Sequence, residues 1–251
     1  MGRRGPGRRY AERVTETSLR DRLLQTLDAA REHETVLLAL CDDAPLAEQG
    51  RWTAKDNVAH LNTWREHAAR TLDAMRVGAP LEGPFDDRQL DGRNAEIYEA
   101  HRRDTSDEVR AASAATYAAL KEAVAACTDD ELRRERPTGG AVWRLVPGNG
   151  HAHVAQHVSS WLAEHDDAEG AETTAVWAYT LETALFPEPA DRAVADFNFA
   201  CFYARNARVE EALPLLGSAL HSQPELRDWA RTDPDLAPIR DDPRVQSLVG
   251  G

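Results

Sequence analysis

The sequence predicts an all-α protein, a four-helix bundle followed by a helical hairpin. Three observations lead there. The chain is rich in Ala, Leu, Glu and Arg and poor in aromatic residues, at 6%, a mixture that favours helices. Its apolar residues recur near a 3.6-residue period over long stretches. Clusters of Gly and Pro break those stretches into segments of helix length.

Taken in order, residues 1–17 hold the run Arg3, Arg4, Arg8 and Arg9 among Gly2, Gly5, Pro6 and Gly7. Such a composition buries nothing and reads as a disordered basic tail. From Ser18, a plausible cap, Leu19, Leu23, Leu27, Ala30, Leu37 and Leu40 mark a first helix. A second is expected from Thr53, with Asp56 three residues on in capping-box spacing, and with Leu61, Trp64, Ala68, Leu72 and Met75 as its stripe. It stops near Gly78 and Pro80, and residues 79–88 read as a loop. Helix resumes over Asn94 to His101. A further helix runs from Ser106, read as its cap, to about Cys127, with Val109, Ala112, Tyr117, Leu120 and Val124 inward. The stretch Arg133 to Gly150 contains two prolines and four glycines and is expected to be irregular. A last bundle helix spans His151 to about Glu164. The bundle therefore occupies 18–168, and a connecting helix lies within 169–189. The segment 190–251 reads as a pair of helices, about 191–205 and 209–222, with a Pro- and Asp-punctuated tail.

The formal charge of −13 opposes a nucleic-acid partner, whose phosphates it would repel. No apolar stretch is long enough to span a membrane, and the N-terminus lacks the apolar core of a secretory signal. A cytoplasmic protein is expected. Cys41, Cys127 and Cys201 are odd in number, far apart and set among apolar neighbours, which points to buried reduced thiols.

The chemistry concentrates in the histidines. His60 falls on the apolar stripe of its helix, one turn before Trp64. His153 and His157 are four residues apart, so both rings lie on one helix face, a turn apart. That face also carries Trp161. Three imidazoles reaching a bundle interior from two helices can supply three nitrogens to one divalent ion and leave a fourth position open. His151 lies about 200° round its helix from His153 and His67 about 10 Å along its helix from His60. Neither joins the group. Trp64, Trp143 and Trp161, with Trp52, are candidates to line a small-molecule pocket beside the ion, or else to stack in the core.

At these residues the sequence resembles a known family. Trp52-Thr53-Ala54-Lys55-Asp56-Asn57-Val58-Ala59-His60-Leu61, followed by Trp64, is similar to the W-x-x-K-D-x-x-x-H-L-x-x-W segment of the DinB-like superfamily, nearest to its ClbS/DfsB branch. Gly148-Asn149-Gly150-His151-Ala152-His153-Val154-Ala155-Gln156-His157 resembles that branch's N-T-x-x-H-x-x-x-H segment. Asn94-Ala95-Glu96-Ile97-Tyr98 resembles its middle. The likeness covers 18–165. It implies a four-helix bundle holding one metal, zinc or nickel and sometimes iron, through His60, His153 and His157. It also implies kinship with thiol-dependent transferases and isomerases, and with a self-resistance protein that hydrolyses the cyclopropane of a DNA-alkylating natural product. Gly150 and His151 stand where the branch has Thr-Tyr, so its substrate contacts do not carry over.

The last segment resembles a single tetratricopeptide repeat at Asn198-Phe199-Ala200, Tyr203, Glu211-Ala212, Ala219-Leu220 and Pro224. It departs from that pattern at Ala207, where the turn usually has Gly, and at Pro214, inside the second helix. A single repeat cannot bury its own apolar face. Phe197, Phe199, Phe202, Leu213, Leu216 and Leu220 are therefore expected to pack on the bundle or on another subunit, in a possible homodimer.

Three functions follow. The first is a metal-dependent enzyme, a hydrolase or thiol S-transferase acting on small electrophiles in detoxification or self-resistance. An ion with three neutral ligands keeps its charge and can bring a bound water's pKa towards about 7, or hold a low-molecular-weight thiol as thiolate. The second is a protein that sequesters a small molecule without turnover. The third is an interaction protein that recruits partners through its C-terminal segment. Glu66, Glu164 and Asp56 lie on the right helices to carry protons, but solvated or capping roles suit them better.

Overall fold

The computed structural model describes residues 17–43, 52–80, 87–136 and 140–250. The basic tail expected at 1–17 lies outside them except for its last residue. Every regular element among the described residues is a helix, apart from one isolated bridge between Glu135 and Ala141.

Helix α1 (Leu19–Leu40) begins where expected. Ser18 Oγ accepts from the amide of Asp21, 3.0 Å away. Two further amides at this end, Leu19 and Arg20, donate to the carboxylate of Asp129 at 2.8 and 3.1 Å, so a distant residue completes the cap. Helix α2 (Ala54–Val77) opens with the reciprocal capping box of Thr53 and Asp56, and closes at Gly78 in the left-handed conformation, φ 69°. Such a cap is worth about 1 kcal/mol. Helix α3 (Asp87–His101) flanks α2 and starts earlier than the sequence indicates.

Helix α4 (Ser106–Ala126) is capped by Thr105 rather than Ser106. The reason is Glu108, which stands three residues after Thr105 and closes a capping box with it. The amide of Ser106 donates instead to Asp43 Oδ1, at 2.6 Å. On the inner face Ser113 is buried, whereas Ala112 is only half-buried.

The stretch expected to be irregular contains helices α5 (Asp129–Arg133) and α6 (Leu145–Asn149), with a 3-10 turn at Val142–Arg144. Pro147 is tolerated because it sits in the first turn of α6, where amides have no helical partner. Helix α7 (His151–Glu164) follows Gly150, whose non-helical backbone, φ −114° and ψ −120°, separates it from α6. A Cβ at Gly150 would meet the Val146 carbonyl oxygen at 2.7 Å and Leu27 Cδ2 at 3.0 Å. This close approach excludes the Thr of the resembling pattern.

Helices α1, α2, α4 and α7 surround one core that includes Leu23, Leu27, Leu37, Leu61, Leu72, Tyr117, Leu120 and Val154. Helix α8 (Ala168–Leu185) is more than a connector, since it lies along α7 and touches α1. Trp177 stacks on His33 with ring centroids 3.9 Å apart, and Phe186, just after α8, is buried in the bundle core against Trp143.

Helices α9 (Pro189–Arg205) and α10 (Val209–Ser222) form the expected hairpin. Ala207 in its turn is left-handed, φ 53°, where the resembling repeat would place Gly. The hairpin's apolar face is covered differently from the expectation. Leu216 and Leu220 pack with Ala230, Leu236, Ile239 and Val245, which come from α11 (Leu226–Thr232), the 3-10 segment Pro234–Ile239 and α12 (Pro243–Gly250). The tail thus supplies the missing layer. Phe199 and Phe202 lie outside that layer: Phe199 stacks on Tyr179 of α8 at 4.6 Å, and both line a cavity that α7 and α8 also line. Cys41, Cys127 and Cys201 are buried and unpaired with one another. Among the described residues, no helix is long and apolar enough to cross a membrane.

Candidate metal centre

His60, His153 and His157 come together. Nε2 of His153 lies 3.2 Å from Nε2 of His60 and 3.2 Å from Nε2 of His157, and each ring offers a nitrogen within 4.8 Å of the others. His60 is buried and the other two half-buried. Local structure fixes their directions. The capping box sets the start of α2 and hence the rotation of His60, and the tight Gly150 junction sets that of α7.

One tautomer is fixed by neighbours. Asn57 Nδ2 donates to the Thr53 carbonyl at 2.9 Å, so Asn57 Oδ1 is the atom that faces His157 Nδ1, at 2.7 Å. His157 therefore carries its proton on Nδ1 and turns a bare Nε2 towards His153. Burial depresses all three pKa values: His60 to about 3, with His157 adding to the effect, His157 to about 4, and His153 well below its ordinary value. The rings are thus neutral at neutral pH. Nδ1 of His60 and of His153 is buried without a partner. One proton on His153 Nε2 can satisfy only one of its two neighbours, which leaves the other Nε2, also at 3.2 Å, without a donor.

A divalent ion would resolve this. With metal–nitrogen bonds of about 2.0–2.1 Å, two tetrahedral ligand atoms stand about 3.3 Å apart, close to the 3.2 Å found. The donor set of three neutral imidazoles fits zinc or nickel.

Of the four tryptophans expected to line a pocket or to stack in the core, two stand beside the histidines. Trp64 presents an edge to His60 at 6.2 Å. Trp143 is buried in the core against Phe186, and Trp161 stacks on His165 at 3.9 Å. Trp52 takes the larger part: it stands 4.9 Å from His60 and stacks between Tyr98 and His157 at 6.2 and 6.1 Å. The Lys-Asp pair of the resembling segment is structural. Lys55 Nζ donates to the Asp104 carbonyl at 2.6 Å, and Asp56 closes its cap. Glu66 pairs with Arg70 at the surface, and Glu164 is exposed.

Two buried polar groups were not expected. Arg65 grips Glu34 with both terminal nitrogens, at 2.5 and 3.1 Å. Ser113 and Tyr117 add hydroxyl donors to that carboxylate at 2.6 and 3.1 Å, and the Arg65 charge reaches His153 and further disfavours its protonation. The signal was present: Glu34 continues the Leu27, Ala30, Leu37 stripe, a place for an apolar side chain. His151, excluded from the triad by its angle, is buried and bonded to Glu182 of α8, at 3.0 Å.

A second group of metal-capable side chains, Cys201, Asp233 and Asp235, lies in the C-terminal region. A cavity of about 390 Å³ extends from His153 to this group between α7, α8 and α9.

No family model matches the chain, and no curated protein matches it. Among solved structures it is similar to an uncharacterised protein of Escherichia coli UTI89. The two share 16% identity with a TM-score of 0.49, over 60% of this chain and 95% of the other.

Proposed function

We propose that this chain is a metal-dependent protein of DinB-like type, in which His60, His153 and His157 hold one divalent ion and the ion serves chemistry on small electrophiles. One observation carries the reading: three neutral imidazoles, His60 buried and His153 and His157 half-buried, converge on nitrogens that a single proton cannot satisfy. Buried polar atoms are otherwise paired in folded proteins, and an acceptor left without a donor costs free energy that an ion returns. An ion so held supplies Lewis acidity towards a water or thiol nucleophile. The protein's own contribution is to exclude bulk water with Trp52 and Trp64, to hold His157 in one tautomer through Asn57, and to keep the three rings neutral by burial. Hydrolysis of a strained or activated ring is the reaction favoured by the resemblance of residues 18–165 to the ClbS/DfsB branch. Thiol transfer is its alternative. A cytoplasmic setting and a role in detoxification or self-resistance accord with this chemistry.

The test is elemental analysis of protein purified without chelator. It should contain one equivalent of zinc or nickel. His60→Ala, His153→Ala and His157→Ala should each lose it, because two imidazoles bind a divalent ion weakly in water. His67→Ala and Cys201→Ala should keep it. A full equivalent of metal in His153→Ala would remove that residue from the site.

A further inference from the structure

We propose that the cavity between the bundle and the C-terminal helices binds a small organic cation, an amine with an apolar body, and brings its far end to His153. The inference rests on the metal-centre reading for what happens at that end, but not for the binding itself.

The cavity's volume, about 390 Å³, lies within the range of sites for small organic ligands. Its inner end is His153, whose Nδ1 is buried without a partner. Its walls carry three aromatic rings, Tyr179, Phe199 and Phe202, with Phe199 stacked on Tyr179 at 4.6 Å and lying 6.1 Å from Phe202. Ring faces of this kind attract an apolar body and a neighbouring cation alike.

The charge of the wall selects the sign of the ligand. Three carboxylates line it, Glu182, Asp233 and Asp235, against one guanidinium, Arg205. Arg205 meets Asp235 through a single contact of 3.3 Å. Asp233 receives the main-chain amide of Asp235 at 2.9 Å and the thiol of Cys201 at 3.8 Å, and neither is a cation. Arg240 binds the main-chain oxygen of Asp233, not its carboxylate. Glu182 is held by His151. The carboxylates are therefore under-neutralised. In keeping with this, burial raises the Asp235 pKa in spite of Arg205.

A metal ion suits this end of the cavity poorly. Burial and the two aspartates push the Cys201 thiol far up, so it stays protonated, and Arg205 already occupies one face of Asp235. An ammonium group needs neither proton loss nor displacement of Arg205. It donates up to three hydrogen bonds and matches two carboxylates at once. An anionic ligand would meet the same carboxylates as repulsion. The hairpin α9–α10 is on this account a pocket wall.

The test is calorimetry on the full chain with 4-phenylbutylammonium, 4-phenylbutanol and 4-phenylbutyrate, both metal-loaded and after chelator treatment. The ammonium compound should bind at least about tenfold tighter than the alcohol, as one charge-assisted hydrogen bond implies, and the carboxylate should bind weakest. Asp233→Asn and Asp235→Asn should each reduce that preference, with thermal melting and metal content close to those of the unsubstituted protein. Binding of the carboxylate as tight as that of the amine, or no binding of any of the three, overturns the proposal. So does an unchanged preference in both aspartate variants. Metal content on the same samples separates the two readings. One equivalent of metal without amine binding sinks the cavity proposal alone, and amine binding by a protein that never takes up metal sinks the metal centre alone.

Discussion

The bundle and the C-terminal unit each gather three side chains able to hold a metal, yet their interiors differ. In the bundle the three are imidazoles kept neutral by burial, and their converging nitrogens cannot all be satisfied by one proton. Beneath them lies an ion pair, Arg65 with Glu34, fully enclosed in the core. In the C-terminal unit the core is apolar, built from Leu216, Leu220, Leu236, Ile239 and Val245. Its potential ligands, Cys201, Asp233 and Asp235, sit at the core's edge with a proton, an amide and a guanidinium already in place. Proximity of donor atoms is thus common to both. What separates them is the chemistry of the donors: neutral imidazole nitrogens in the bundle, and at the C-terminal unit a protonated thiol beside two carboxylates with one guanidinium between them.

The largest expected break in this contrast is Arg65→Ala. It leaves Glu34 buried with only hydroxyl donors, and removing one partner of a buried pair costs about 3–5 kcal/mol. Equilibrium denaturation should show a loss of that order. A change below about 1 kcal/mol, the scale of an exposed pair, would mean the network is not enclosed. Next comes Asn57→Ala, which frees the His157 tautomer without touching a metal ligand. Loss of such an orienting hydrogen bond weakens metal binding about 10–100-fold, measurable by competition with a chromophoric chelator. Unchanged affinity would show that α7 packing alone orients the ring.

The last test is the acid response of chelator-treated protein. His60 and His157 have folded pKa values of about 3 and about 4, below the unfolded value. Between each of those and about 6.5 the unfolded chain binds more protons. Stability is therefore fully present above that pH and falls on acidification, by up to about 1.4 kcal/mol per pH unit for each histidine. Metal-loaded protein should resist until the ion is lost. A flat stability profile between pH 6.5 and 4 in stripped protein would show the rings are not held neutral.

Much of the local structure was legible because it depends on near neighbours. The helix starts at Ser18 and Thr53, the stop at Gly78 and the hairpin α9–α10 follow from caps, period and breakers within a few residues. His153 and His157 share a face by spacing alone, and His60 announces itself by standing in an apolar stripe. The cap at Thr105 in place of Ser106 was the nearer miss, settled by where Glu108 falls.

The rest depends on pairs far apart in the chain. Glu34 broke an apolar stripe and so marked itself as unusual, but its partner Arg65 stands 31 residues away, and nothing in either neighbourhood names the other. The same holds for His151 with Glu182, for Asp129 capping α1, and for the tail helices that cover Leu216 and Leu220. Helix period and capping act over one or two turns, so the sequence by itself determined the all-α class, the helices and the faces on which the three histidines lie. Only the tertiary structure decided that their nitrogens meet without a proton to share, that Trp52 rather than Trp143 stands beside them, and that a cavity joins His153 to the aspartates of the C-terminal unit. Those outcomes depend on how helices cross, which is set by the sum of many contacts between distant residues.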